Sequence, residues 1–251
     1  LNEKGFVFIL NNKSKSSVFD DWIEVKIPFA ALKDQTDPAW KDMLIKPAPS
    51  GGVISGGDLP PLPPWNGPMR IALTFDDGPH RTNTPMLLNI LEKYNAKATF
   101  FMVGAQVARN PNIARMVAEA GHEVANHSYT HAYMTSLSSY EIVQEIDRTN
   151  AIIQQATGVT PTLFRPPYGA INDRVRQHIS LKVVMWTVDP QDWKYRDAQR
   201  VSRHVISHAR DGSIVVMHDL HRSSVEAVEL ILQYMTRYDV TFMTVSEMYG
   251  K

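Results

Sequence analysis

Short apolar runs alternate with amphipathic stretches along most of the chain, from residue 69 onward. Seven of these runs are short enough for strands and are rich in β-branched and aromatic residues: RIALTF, KATFFMV, HEVANH, LFRPP, KVVMWTV, SIVVMHD and VTFMTV. Because helical patterns separate them, we predict an α/β fold whose parallel sheet forms a distorted (β/α) barrel of about seven strands. A flat, doubly wound sheet is the alternative.

Two of the intervening segments begin with a capping-box sequence. Ser138-x-x-Glu141 opens the first and Ser223-x-x-Glu226 opens the second. Each is followed by one face at helical spacing: Ile142, Ile146, Thr149 and Ile153 in the first, and Val225, Val228, Leu232 and Met235 in the second. Both segments are therefore predicted to be amphipathic helices.

The first 68 residues do not follow this alternation. Residues 47–68 are so rich in proline and glycine that they predict a linker. Before them, GFVFIL and WIEVKIPF have strand character, but two strands do not make a stable core alone. We therefore expect residues 1–46 to be the tail of a truncated upstream small domain or a docked flap, and residues 69–251 to form the main domain.

Composition mainly excludes classes of partner and chemistry. The 26 basic and 26 acidic residues balance without a run of like charge, so we expect neither nucleic acid nor membrane insertion. With no cysteine, any transition metal has to be held by histidines and carboxylates. No stretch approaches 18 apolar residues and the first residues lack a signal-peptide core. Either the protein is cytosolic or its targeting segment lies outside this sequence.

Five of the predicted strands end in residues suited to catalysis or metal binding. They are Asp76 with Asp77, His127, Arg165, Asp189 and His218. Ligands of α/β proteins bind at the carboxyl ends of the strands. This distribution therefore predicts one functional site at that edge of the sheet.

The stretch HSYTH is a candidate metal-binding motif. It places His127 and His131 four residues apart, and on one helical turn this spacing presents both imidazoles to a common point. Asp77 or Asp76 would supply a third ligand from another strand end. Two histidines and one carboxylate leave a divalent ion with open positions for water and substrate.

Three further stretches carry candidate chemistry, and each also has a purely structural interpretation. FRPPYG places Arg165 before two prolines that hold the chain extended, or forms a surface turn. DPQDW offers two carboxylates beside Trp193, or forms a loop with an Asx turn. In SIVVMHD, Val216 lies on the same strand face as His218, which is otherwise a buried histidine satisfied by a hydrogen bond.

Together, TFDDGP, HSYTH, RPPYG, DPQDW and IVVMHD resemble, in order and spacing, the five motifs of the polysaccharide deacetylase family, carbohydrate esterase family 4. The resemblance covers about residues 69–248, and residues 5–34 look like the end of a small α/β domain found upstream in some bacterial cell-wall deacetylases. It implies a monomeric, secreted or membrane-tethered hydrolase that removes N-acetyl groups from a glycan, either peptidoglycan or chitooligosaccharides. The alternatives are an O-acetyl esterase acting on xylan and a non-catalytic carbohydrate-binding module.

The resemblance also implies how the two adjacent aspartates divide their roles. Asp76 would be the general base, oriented by Arg165. Asp77, His127 and His131 would hold one divalent metal ion, with zinc expected first and cobalt, manganese or nickel as alternatives.

The remaining roles implied by the resemblance concern the leaving group and the substrate. The backbone N–H of Tyr168 would stabilise the oxyanion together with the metal. His218, tuned by Asp189, would protonate the departing amine. The residues expected to enclose the substrate are Trp193, Val216, Pro166 and Tyr168.

Overall fold

The computed structural model describes residues 68–250. The predicted segment 1–46 and nearly all of the predicted linker 47–68 lie outside these residues and stay predictions. Among the described helices, none combines the length and the apolar character that a membrane crossing requires.

Seven parallel strands form one sheet, which confirms the predicted strand count and fold class. The strands are β1 (Met69–Asp76), β2 (Ala98–Met102), β3 (Glu123–Asn126), β4 (Leu163–Phe164), β5 (Lys182–Val183), β6 (Ser213–His218) and β7 (Val240–Phe242). Their order is β5-β4-β3-β2-β1-β6, and β7 pairs with the first residues of β1. Strands β1 to β5 thus lie in chain order, without the central reversal of a doubly wound sheet, so the flat alternative is wrong.

The sheet curls until one segment joins its two outer strands. Lys182 and Val183 of β5 pair with β4 at one edge. Further along the same segment, Val188 forms a bridge with Val215 of β6 at the other edge, and Val216 N donates to Val188 O over 3.0 Å. The curl is therefore an incomplete barrel, in agreement with the predicted distorted (β/α) barrel.

Nine helices and two 3₁₀ turns connect the strands within residues 68–250. The helices are α1 (Asn83–Lys93), α2 (Gly104–Arg109), α3 (Pro111–Glu119), α4 (Ser139–Thr157), α5 (Asp173–Gln177), α6 (Asp192–Tyr195), α7 (Ala198–His208), α8 (Arg222–Met235) and α9 (Val245–Met248). The 3₁₀ turns are Met134–Ser136 and Pro167–Gly169. The predicted faces of α4 and α8 are buried against the rest of the protein.

Only one of the two predicted capping boxes forms. Ser138 and Glu141 cap α4 reciprocally, as predicted. The box at Ser223 is wrong, because α8 already begins at Arg222, which places Ser223 inside the first turn. Glu226 instead accepts a hydrogen bond from Arg222 Nε over 2.9 Å.

The inner face of the curl leads directly to the predicted site. Apolar side chains fill it: Ala72, Phe101, Ala125, Leu163, Val184, Ile214 and Val245. Because side chains alternate along a strand, the same face continues through Thr74 to Asp76 in β1 and through Val216 to His218 in β6. The inner face is therefore apolar along most of the sheet and becomes polar at the carboxyl ends of the strands.

Candidate active site

Asp76 ends β1 and pairs with a fully buried arginine. Arg165 Nη1 donates to Asp76 Oδ1 over 2.7 Å and lies the same distance from Thr74 Oγ1. The remaining guanidinium nitrogens donate to the carbonyls of Val184 and Met185 over 3.2 and 3.3 Å. Each nitrogen thus has a partner, which a buried charge requires. The pairing fixes Oδ1 and leaves Oδ2 of Asp76 3.8 Å from the nearest imidazole nitrogen.

The neighbouring carboxylate, Asp77, faces two imidazoles. Its Oδ1 lies 3.3 Å from His127 Nε2 and 3.0 Å from His131 Nε2. One ligand atom from each of the three residues lies within 4.8 Å of the others. Asp77 has φ 74°, in the left-handed region, so its side chain departs from the alternation of the strand. The two adjacent aspartates therefore meet different partners.

The geometry of this cluster fits a divalent cation. Asp77 Oδ1 is buried and accepts no hydrogen bond from the described residues, despite the two nitrogens nearby. The carbonyl of Arg165 accepts a hydrogen bond of 2.7 Å from His127 Nδ1, so neutral His127 has its lone pair on Nε2. A carboxylate oxygen and imidazole nitrogens that converge in this way form a donor set that suits zinc and similar ions.

Asp77 is in the charge state that a metal ligand needs. Burial raises the pKa of its carboxyl group, but the contacts with His127 and His131 outweigh burial and hold the pKa well below its usual range. Asp77 is therefore a carboxylate at neutral pH.

The segment His127–His131 is a loop, so the predicted helical turn is wrong. Ser128 and His131 have φ 62° and 61°. Asn126 Oδ1 accepts the N–H of Ser128, and Glu145 of α4 accepts the next two backbone N–H groups, each over 2.8 Å. Because side chains take these backbone donors, the segment forms a tight loop that still brings both imidazoles to one point.

His218 is paired with Asp192, so the predicted pairing with Asp189 is wrong. His218 Nδ1 lies 2.8 Å from Asp192 Oδ1, and the backbone N–H of His218 donates to Asp192 Oδ2 over 2.8 Å. Ser224 Oγ donates to the same Oδ2. Asp189 instead accepts the N–H of Gln191 over 2.8 Å, which is the Asx turn considered from the sequence. This turn uses Asp189 locally and directs Asp192 inward.

The Asp192 carboxylate determines the charge of His218. Burial lowers the pKa of His218, but the hydrogen bond and the charge of Asp192 outweigh burial and, with Asp76 and Asp77, raise it to about 9. Burial raises the pKa of Asp192, but contact with His218 outweighs burial and lowers it. At neutral pH the pair is an imidazolium and a carboxylate, so Nε2 of His218 carries a proton.

The predicted substrate-binding residues differ in exposure. Val216 is buried and lies two residues before His218 on the inner face of β6. Trp193 follows Asp192 in α6 and is half exposed, and Tyr168 is also largely exposed. Pro166 is buried. Trp193 and Tyr168 can therefore touch a ligand directly, while Pro166 is placed to fix the chain.

A buried carboxyl group beside the site was not expected from the sequence. Asp219 is fully buried, and Thr84 Oγ1 donates to its Oδ2. Burial raises its pKa to about 7. A side chain at Gly78 would clash with this carboxyl group, so the turn after Asp77 needs glycine there. An aspartate directly after the strand-ending histidine was the only signal in the sequence.

Comparison with known proteins identifies the family. The family model described as "Polysaccharide deacetylase" matches residues 66–182. A peptidoglycan-N-acetylglucosamine deacetylase of Bacillus cereus is 37% identical over 186 residues, which cover 71% of this chain and 87% of that protein. The chain therefore belongs to the polysaccharide deacetylase family.

Two other similar proteins are also peptidoglycan deacetylases by name. The peptidoglycan-N-acetylglucosamine deacetylase PgdA of Listeria monocytogenes is 40% identical over 193 residues, which cover 77% of this chain but only 41% of that protein. The solved structure of the peptidoglycan deacetylase PdaC from Bacillus subtilis superposes with a TM-score of 0.71 at 40% identity, covering 72% of this chain and 90% of that one. The chain spans about two fifths of the length of the Listeria relative.

Proposed function

We propose that this protein hydrolyses the N-acetyl groups of a bacterial cell-wall glycan, releasing acetate and a free amine. Peptidoglycan is the expected substrate, and short chitin-type oligosaccharides are expected to be accepted as well. The observation that carries the proposal is the arrangement at one sheet edge of a carboxylate held by Arg165, a His-His-Asp cluster and an imidazolium held by Asp192. The names of the relatives support the substrate.

The cation site would be formed by Asp77, His127 and His131. A divalent cation there, with zinc expected first, would supply Lewis-acid chemistry by polarising the acetyl carbonyl and acidifying water. The residues of the chain hold the ligand atoms in place, because the loop that carries the histidines is tied to Glu145.

Asp76 would act as the general base. Arg165 holds Oδ1, so Oδ2 is the oxygen left to take a proton from the attacking water. The hydroxyl group of that water adds to the acetyl carbonyl carbon, and the carbonyl oxygen gains negative charge. The backbone N–H of Tyr168 is proposed to donate to this oxygen.

His218 would act as the general acid. It donates the proton from Nε2 to the nitrogen of the substrate as the C–N bond breaks, and acetate and the sugar amine leave. Asp192 holds the ring by Nδ1 and keeps it protonated at neutral pH. The proton on Asp76 then returns to His218 through solvent, which restores both groups. Val216 and Trp193 are placed to enclose the acetyl methyl group and the sugar face.

The proton on His218 also bears on the choice between amide and ester substrates. An amine leaves poorly without a proton, so a His218 imidazole that Asp192 keeps protonated at neutral pH suits amide cleavage. A non-catalytic module would require the loss of the base, the acid or a ligand, and all of these residues are present. Because the proposed substrate is a wall polymer, we expect the protein to act outside the membrane, at the cell surface or as a secreted protein.

The test is an assay of zinc-loaded protein against peptidoglycan, N-acetylglucosamine oligomers and acetylated xylan. We expect acetate and new amines in equal amounts from the first two substrates. The protein with Asp76→Asn serves as the control for contaminating activity. Acetate from xylan alone, without amines from either N-acetylated substrate, would refute the proposal.

A further inference from the structure

One short segment, residues 165–168, contacts both imidazoles of the cation site from behind. The carbonyl oxygen of Arg165 accepts from His127 Nδ1 over 2.7 Å. Three residues later, the hydroxyl oxygen of Tyr168 lies 3.2 Å from His131 Nδ1. In both rings Nε2 faces the shared carboxylate oxygen. The same segment thus provides a partner for the outer nitrogen of each histidine.

The position of the single proton on a neutral imidazole decides whether it can bind a cation. With the proton on Nδ1, His131 donates to the Tyr168 oxygen and Nε2 presents a lone pair. With the proton on Nε2, the hydroxyl would donate to Nδ1, and Nε2 could not act as a ligand. Only the first arrangement is compatible with a cation between the two rings and the carboxylate.

We propose that the Tyr168 hydroxyl is a positioning group for the cation site: it accepts the Nδ1–H of His131 and so fixes the tautomer and the ring orientation that present Nε2. The proposal rests on the proposed function, because it concerns the same cation site. It assigns the Tyr168 side chain a role separate from that of its backbone N–H.

The surroundings of Tyr168 hold its hydroxyl in place although the side chain is 57% exposed. Its backbone adopts a left-handed conformation, with φ 60° and ψ 10°. Its ring stacks on Tyr133 with centroids 3.9 Å apart and planes 10° apart. It also meets the ring of His131 edge-on, with centroids 4.6 Å apart. Two aromatic contacts therefore restrict a side chain that would otherwise move freely in water.

The ring orientation of His131 depends more on such a hydrogen-bond partner than that of His127 does. The His127 side chain is almost completely buried and bonded to a buried carbonyl, whereas the His131 side chain is about one quarter exposed. Water can compete for an exposed imidazole, so its ring orientation depends on a dedicated partner. Loss of such a partner of a metal ligand typically costs about 10–100-fold in metal affinity.

The experiment measures zinc affinity by competition with a chromophoric chelator, using the full chain. Tyr168→Phe removes the hydroxyl and keeps the ring and the backbone. Tyr133→Phe is the matched control, because it removes the hydroxyl of the stacked neighbour and also keeps the ring. We expect Tyr168→Phe to weaken zinc binding by about 10–100-fold and Tyr133→Phe to leave it unchanged. Equal zinc affinity in Tyr168→Phe and the parent would overturn the proposal.

A second readout reports the tautomer itself. Nitrogen-15 shifts of the His131 side chain in the zinc-loaded and zinc-free protein should show the Nδ1–H tautomer in the parent. Tyr168→Phe should show a mixture when zinc is absent. An Nε2–H tautomer in the zinc-free parent would overturn the proposal. Neither measurement uses a substrate, so both can be interpreted even if the protein does not deacetylate a glycan. If the protein is active and Tyr168→Phe binds zinc as tightly as the parent, only the role of the hydroxyl group is refuted.

Discussion

The two ends of the sheet bury polar groups in different ways. At the carboxyl edge, charges face charges: Asp76 meets Arg165 and Asp192 meets His218. At the amino edge, the carboxylate of Glu123 is held by hydroxyl groups and a backbone N–H from β2 and α9. The carboxylate of Glu123 is thus satisfied by neutral donors, which is enough for stability. The carboxyl edge keeps charged groups in fixed directions, which catalysis needs.

Two histidines, His218 at the carboxyl edge and His122 at the amino edge, show what this difference does to the pKa of an imidazole. His218 has a carboxylate partner, and its pKa is raised to about 9. His122, at the amino edge, has no hydrogen-bond partner for Nδ1 among the described residues. Burial, with a small contribution from Lys97, lowers the pKa of His122 to about 4. Burial acts in the same direction on both rings, so the counter-charge decides which of them is an acid at neutral pH.

The largest loss of catalytic activity is expected for Asp76→Asn at the carboxyl edge. The amide cannot accept the proton of the attacking water, so kcat/KM should fall by about 10²–10⁴-fold while the zinc content stays the same. Glu123→Gln at the amino edge is the matched substitution and should leave kcat/KM nearly unchanged. Steady-state kinetics and elemental analysis on both variants check this. Comparable losses in both would break the distinction between the two edges.

Arg165→Leu should produce the largest loss of stability. It leaves the carboxylate of Asp76 buried without its counter-charge, which costs about 3–5 kcal/mol. Denaturant unfolding followed by circular dichroism measures the change. Arg70→Gln is the control, because Arg70 pairs with Asp211 at the exposed start of β1 and should matter far less. Equal midpoints for both variants would contradict the expected cost.

The pH dependence of the free energy of unfolding should reveal His122, whose Nδ1 has no hydrogen-bond partner among the described residues. The folded pKa of His122 lies below its unfolded value, so the unfolded chain takes up a proton first as the pH falls. His122 should therefore reduce the free energy of unfolding as the pH drops from 6.5 towards 4, by about 3 kcal/mol at most. Comparing unfolding curves of the parent and His122→Leu across this window isolates the effect. Parallel curves would show that His122 is not the group responsible.

The smallest predicted effect is a shift in the pH dependence of kcat/KM, and it tests whether Asp192 or Asp189 is the partner of His218. Asp192 raises the pKa of His218, so Asp192→Asn should move the alkaline limb of kcat/KM to lower pH, by more than about one unit. Asp189→Asn should leave the limb in place, because Asp189 closes a local turn. Full pH profiles of both variants decide the matter. A shift in the Asp189 variant alone would restore the pairing expected from the sequence.

The strands could be predicted because their signal is local. Each of the seven apolar runs forms a strand, and the order of β1 to β5 follows from βα repeats. The sequence also indicated the gathering of Asp76, His127, Arg165 and His218 at one edge, since parallel strands end there. These inferences need only periodicity and the direction of the chain.

The errors arose where irregular backbone decides the direction of a side chain. Asp189 and Asp192 are equally suitable carboxylates in the sequence, and only the left-handed Gln191 between them directs one into the site. In HSYTH, the four-residue spacing suggested a helix, but Glu145 takes the backbone donors from a position 15 or 16 residues away. Loop conformations that depend on such distant partners leave no local pattern to detect.

The closure of the curl links the orientation of the catalytic base to the joining of the two outer strands. The segment from Lys182 to Val188 joins β4 to β6, and between its two pairings it offers two carbonyls to the guanidinium that orients the base. Without this segment, Arg165 lacks two of its four hydrogen-bond partners, and Asp76 is held less firmly in direction. We therefore expect catalytic activity to return during refolding only after the outermost strands have been joined.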